Sequence, residues 1–158
     1  MLRETTSEPA VDQAALTFTC PATPLHVRGA LRDVRAQLAI TGVADATLAS
    51  IELVLAEVLN NIVEHAYAAQ PDGMIALRVR RSDQKVSCTI YDDGCPMPKG
   101  MLPFGAPADP DACRSTLAEG GFGWLLIREL TQQVYYQRIS GRNRVNFTIS
   151  TENKDAVA

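Results

Sequence analysis

The chain has 158 residues, 46% of them hydrophobic and 21% charged, with a formal net charge of −3. That length suits one domain with a sizeable core, and an acidic balance leaves no electrostatic footprint for nucleic acid or an anionic membrane. No segment reaches the roughly 18 uninterrupted apolar residues of a membrane span, and the opening MLRETTSEPAVDQ lacks the apolar stretch of a signal peptide, so a cytoplasmic protein is expected.

Residues 1–13 and 152–158 are polar and unpatterned, and read as tails around a domain at 14–151. Residues 15–20 are alternating, β-branched and aromatic enough for a strand, closed by Pro21 and Pro24. Leu25, Leu31, Val34, Leu38 and Ile40 then recur at near-helical spacing until Gly42. From Asp45, a candidate N-cap, the chain runs to residue 70 without Gly or Pro. Leu48, Ile51, Leu55, Val58, Leu59, Ile62 and Ala66 form one apolar arc on this central helix. Pro71-Asp72-Gly73 signals a turn, after which 74–80 and 86–91 read as a hairpin around Ser82-Asp83-Gln84.

Residues 95–120 are proline-rich and lack periodicity; in a compact domain so long a loop points to a lid. Its Lys99 and Arg114 read as surface charge. Residues 121–131 return to helical spacing through Phe122, Leu125, Leu126 and Leu130, and 134–139 with 145–150 close the chain as a hairpin around Gly141-Arg142-Asn143. Short turns between neighbouring strands predict an α+β, two-layer α/β sandwich: a mixed, mainly antiparallel sheet with helices on one face. Cys20, Cys88, Cys95 and Cys113 form no C-x-x-C pair, and Cys88 fits a core strand.

Three segments carry chemistry. At 100° per residue, Glu57, Asn61 and Glu64 fall within a sector of about 60°, opposite Leu55, Leu59 and Ile62. A neutral Asn oxygen suits Mg²⁺, which takes few protein ligands and keeps water and phosphate oxygens. A Glu one turn earlier can accept a proton from a hydroxyl attacking a γ-phosphate. An isolated E-x-x-x-N is more often simply the solvated side of an amphipathic helix. In Asp92-Asp93-Gly94, at a strand end, either acid can accept from the exocyclic amine of adenine while Gly lets backbone approach the ring; alone, the tripeptide is an ordinary turn. Glu119-Gly120-Gly121-Phe122-Gly123 opens a helix, where unpaired N–H groups and the dipole favour phosphate, although glycines alone also make a linker.

In this order, EVLNNIVEHAY (57–67), the Asp-Asp-Gly turn and EGGFGWLLIREL (119–130) resemble the gyrase, chaperone, histidine-kinase and mismatch-repair ATPase superfamily. Within it they are most similar to the anti-sigma factor serine/threonine kinases, over about residues 15–150. The resemblance implies the Bergerat ATP-binding fold, with Glu57 as catalytic base and Asn61 as Mg²⁺ ligand. It implies that Asp92, not Asp93, reads adenine, and that Gly94, Gly120, Gly121, Phe122 and Gly123 complete the nucleotide site. Pro96 replaces the second glycine of the family's D-x-G-x-G box, a form similar to the anti-sigma branch. His65 and Tyr67 stand where that branch often carries His and Tyr. The implied protein is an ATP- and Mg²⁺-dependent serine/threonine kinase. It phosphorylates a small anti-sigma factor antagonist, can sequester a sigma factor in a partner switch, and works as a homodimer without nucleic-acid or membrane partners. The alternative is a catalytically weak or inactive nucleotide-binding module that regulates a partner by sequestration. Glu57 favours chemistry, Pro96 the module. A bare ATPase would use the same residues with water as nucleophile.

Overall fold

Alternation along the strands sets the architecture. The computed structural model describes residues 14–68, 70–103 and 121–152; both tails and 104–120, most of the expected lid, lie outside the described residues. Strands β1 (Leu16–Pro21), β2 (Met74–Arg81), β3 (Lys85–Asp92), β4 (Gln133–Ile139) and β5 (Arg142–Ser150) form one sheet in the order β1-β2-β3-β5-β4. Every neighbouring pair is antiparallel, so the sheet expected to be mixed and mainly antiparallel is antiparallel throughout.

One face is core. Leu77 lies opposite Ile90, which lies opposite Val145; the next inward row is Val79, Cys88 and Phe147. All six are buried. Burial pushes the Cys88 thiol far above its usual range, which keeps it a small neutral core residue. At the end of this face the register continues as Ile75, Asp92 and Asn143, and the last two are the buried polar residues among those described.

Three helices cover that face. In α1 (Pro24–Ile40) the Thr23 side chain accepts the His26 N–H at 3.3 Å, Pro24 opens the first turn, and Gly42 follows the helix at φ +82°. Ala44 holds the cap position of α2 (Asp45–Asn61) without a side-chain hydrogen bond. Asp45 is therefore not the cap but the first helical residue, where its charge complements the helix dipole. The single helix expected to residue 70 instead changes at Asn61 into a π turn, Ile62–Ala66, in which the Tyr67 N–H donates to the Ile62 carbonyl at 3.0 Å. The 22-residue run Asp45–Ala66 is long and apolar enough to cross a membrane by length and composition. Here Ile51, Val54, Leu55, Val58 and Leu59 are buried in the core instead.

In α3 (Gly121–Leu130) Trp124 and Ile127 point inward, whereas Phe122 is 49% exposed, so the buried side is rotated from the expected one. The β4–β5 turn is Ser140-Gly141, both at positive φ (50° and 80°), which suits a two-residue hairpin. Arg142 already pairs with Ile139. The turn thus falls earlier than expected, and Asn143 becomes a strand residue facing Asp92.

Candidate functional site

The last residue of β3 is held by a polar network. Asn143 Nδ2 donates to Asp92 Oδ1 at 2.7 Å, and the Gly94 N–H donates to the same oxygen at 3.0 Å. Asn143 Nδ2 also reaches the Cys95 carbonyl at 2.9 Å, while its Oδ1 accepts from the Tyr136 hydroxyl and from Arg138 Nη1, both at 2.6 Å. Burial raises the Asp92 pKa, with the hydrogen bonds from Asn143 and Gly94 working against it. Since both bonds fall on Oδ1, Oδ2 is the oxygen placed to accept from a ligand. Asp93 points the other way, exposed and 3.4 Å from Arg142 Nε.

Tyr67 fixes the same corner: its hydroxyl donates to the Met74 carbonyl at 2.7 Å and accepts the Asp93 N–H at 2.8 Å. Its pKa is raised, chiefly by burial, so it serves as a neutral phenol. Gly94 closes on the π turn. A Cβ there would lie 2.5 Å from the Ala66 carbonyl oxygen, the same oxygen that accepts the Cys95 N–H at 2.8 Å. Because backbone would have to shift, Gly94→Ala should destabilise the fold by about 1–3 kcal/mol, the usual scale of overpacking. Urea unfolding measures it; an unchanged midpoint would mean that the contact yields freely.

Glu57 and Asn61 lie one turn apart on α2, both half-buried. Gly123, in the first turn of α3, approaches so closely that a Cβ would sit 2.5 Å from Glu57 Oε2. A side chain at this position would push the Glu57 carboxylate aside. Asn61 Nδ2 is buried without a hydrogen-bond partner, an unmet donor that a phosphate oxygen or water could satisfy, while Oδ1 is the atom of this amide with the chemistry to ligate a cation. Among the described residues no three His, Cys, Asp or Glu side chains gather as a metal cage. A cation beside Asn61 would draw its other ligands from phosphate and water, the habit of Mg²⁺, and in that sense the residues fit it.

The candidate residues thus meet along one helical run. Glu57 meets Gly123, Asn61 stands one turn further along the helix, and five residues beyond Asn61 the carbonyl of Ala66 accepts the Cys95 N–H of the turn that follows Asp92. Gly121 opens α3 and Phe122 is half exposed beside it. Gly120, Glu119 and Arg114 lie outside the described residues. His65, Pro96 and Lys99 are exposed. Asn143, Tyr136 and Arg138 were not anticipated as site residues; placing the turn at Ser140-Gly141 would have set Asn143 opposite Asp92.

Comparison with known proteins agrees with this fold. Residues 20–149 match the histidine kinase-like ATPase domain family. The serine/threonine-protein kinase BtrW of Bordetella bronchiseptica is 34% identical over 93 residues, 58% of this chain and 63% of that protein, so the match covers less than two thirds of the relative's length. Among solved structures, the RsbU and RsbW domains of a Mycobacterium tuberculosis protein align with TM-score 0.60 and 19% identity, covering 87% of this chain and 32% of the other. The catalytic domain of histidine kinase ThkA aligns with TM-score 0.50 and 14% identity, covering 86% and 97%. These structural likenesses are of fold, the α+β sandwich with a five-stranded antiparallel sheet, and the family description implies ATP binding. With the sequence match running from β1 into β5, the chain belongs to the histidine kinase-like ATPase domain family.

Proposed function

We propose that this chain is an ATP- and Mg²⁺-dependent protein serine/threonine kinase of the anti-sigma factor type. It acts in the cytoplasm on a small antagonist protein and sequesters a sigma factor in a partner switch. The domain spans 14–151. The observation that carries the reading is the apposition of the Glu57 carboxylate and the glycine-rich start of α3, with Asn61 one turn further along the same helix.

Each residue has a task. Asp92 Oδ2 accepts the exocyclic amine of adenine, and Gly94 keeps the neighbouring backbone free of side-chain bulk. The N–H groups at the start of α3, around Gly121 and Gly123, meet the phosphates, where the helix dipole favours negative charge. Glu57 takes the proton from the acceptor hydroxyl as it attacks the γ-phosphate. Mg²⁺ held by Asn61 supplies neutralisation of phosphate charge. The kinship with BtrW, named a serine/threonine-protein kinase, supports a protein acceptor over water.

Asn61→Ala should remove the dependence of nucleotide affinity on Mg²⁺ while leaving Mg²⁺-free binding near wild type. Titration with ATP with and without Mg²⁺ measures this, and a variant that still responds fully to Mg²⁺ would refute the ligand role. Transfer of labelled γ-phosphate to a serine or threonine of a candidate antagonist tests the kinase assignment itself. Release of free phosphate without any labelled acceptor would turn the reading into an ATPase.

A further inference from the structure

The side of the sheet turned away from the helices has a charge at odds with the rest of the chain. Arg78, Lys85, Arg142 and Arg144 project from it, and among the described residues no strand contributes a carboxylate to that side, although the whole chain carries a net charge of −3. Its centre is Tyr91. The guanidinium carbons of Arg142 and Arg144 lie 5.1 and 6.0 Å from the Tyr91 ring centroid. Two positions apart on one strand, they share a face about 7 Å apart along the chain, each drawn to the ring quadrupole. Arg144 Nε is covered and makes no hydrogen bond, and the Arg142 contact with Asp93, at 3.4 Å with both partners more than half exposed, is a weak and exchangeable one.

We propose that this face is a docking surface for an acidic segment of a partner protein, with carboxylates seated on Arg142 and Arg144 over Tyr91. Planar guanidinium forks match carboxylates with two parallel hydrogen bonds, and a ring beneath them holds their orientation. Tyr135, 49% exposed, extends the same face one strand beyond β5, where the register aligns it with Asn146. Tyr and Arg are the residues that most often anchor protein interfaces. A long polyanion is disfavoured, because it would also meet the field of a chain with 18 acidic and 15 basic residues, whereas a short acidic segment meets this face alone. A second copy would set like charges against like. The proposal goes beyond the kinase reading, since it needs neither nucleotide nor phosphoryl transfer.

The test is fluorescence-anisotropy titration of the full chain with a labelled Glu/Asp-rich decapeptide and, separately, with an oligothymidylate of equal charge. The peptide should bind saturably, and Arg142→Glu/Arg144→Glu should weaken it about tenfold or more. Arg28→Glu/Arg32→Glu, the same charge change on exposed positions of α1, should alter it less than about twofold. Arg78→Glu/Arg142→Glu leaves the covered Nε of Arg144 in place and should reproduce the loss if the first variant fails to fold. Equal weakening by the strand and helix variants would overturn the proposal. So would oligothymidylate binding as tightly as the peptide, or a wild-type dimer in sedimentation that the strand variants dissolve.

Discussion

Asp92→Asn is expected to abolish saturable ATP binding while leaving the fold intact. An Asn at this position keeps an oxygen to accept from Asn143 Nδ2 and the Gly94 N–H, so the local network survives. It also removes a buried charge, whose cost is visible in the raised Asp92 pKa. What changes is the second position of the side chain: an acceptor becomes an NH₂ donor facing the adenine amine. A hydrogen bond to a charged group contributes about 1.5–3 kcal/mol, and opposing donors add to the loss, so affinity should fall by about 10²-fold or more. Titration with a fluorescent nucleotide measures it; wild-type affinity would sink the adenine assignment.

The same shift gives a pH dependence with two signs. Because the folded protein holds the Asp92 proton more tightly than the unfolded chain, its contribution to stability declines as pH rises from the ordinary aspartate range to the raised value. Nucleotide affinity runs oppositely: it is full above the raised pKa and lost as pH falls through it. In Asp92→Asn the stability trend should vanish, as urea unfolding across that pH range would show.

Glu57→Ala should leave ATP affinity nearly unchanged and lower phosphoryl transfer by about 10²-fold or more, the usual contribution of a positioned general base. The carboxylate lies against the backbone of Gly123 rather than deep in the core, so truncation leaves the buried arc of Leu55, Val58 and Leu59 untouched. Gly123→Ala probes the same contact from the other side. Its methyl group would meet Oε2, the far end of a flexible side chain, so the carboxylate swings away at small cost in stability. Transfer should fall while unfolding midpoints hold. Single-turnover transfer beside nucleotide titration separates the effects, and wild-type transfer in Glu57→Ala would remove Glu57 from the chemistry.

Much of this architecture was legible in the chain. Period-two alternation in β2, β3 and β5 and the Pro71-Asp72-Gly73 turn fixed the strand order along the sequence, and the apolar arc of α2 identified the central helix. Two features were hidden for definite reasons. The π turn at Ile62–Ala66 carries no Gly or Pro, since one widened turn rests on a shifted hydrogen bond rather than on a residue type. Asn143 reads as a turn residue in sequence because Gly141-Arg142-Asn143 is an ordinary turn signal. Positive φ at Ser140 moved the reversal and sent Asn143 into the strand, against Asp92. In α3 the spacing of Phe122, Leu125, Leu126 and Leu130 overlaps the stripe of Trp124 and Ile127, and hydrophobic spacing alone does not tell which of the two lies deepest in the core.

The central claim is that Glu57, Asn61, Asp92 and the glycine-rich start of α3 form one Mg-ATP site. Calorimetric titration of the purified chain with ATP and with ADP, each with and without Mg²⁺, tests it most directly. The account predicts saturable one-site binding that Mg²⁺ tightens. Absence of binding to either nucleotide under every condition would contradict it, leaving a partner-binding domain built on an ATPase fold.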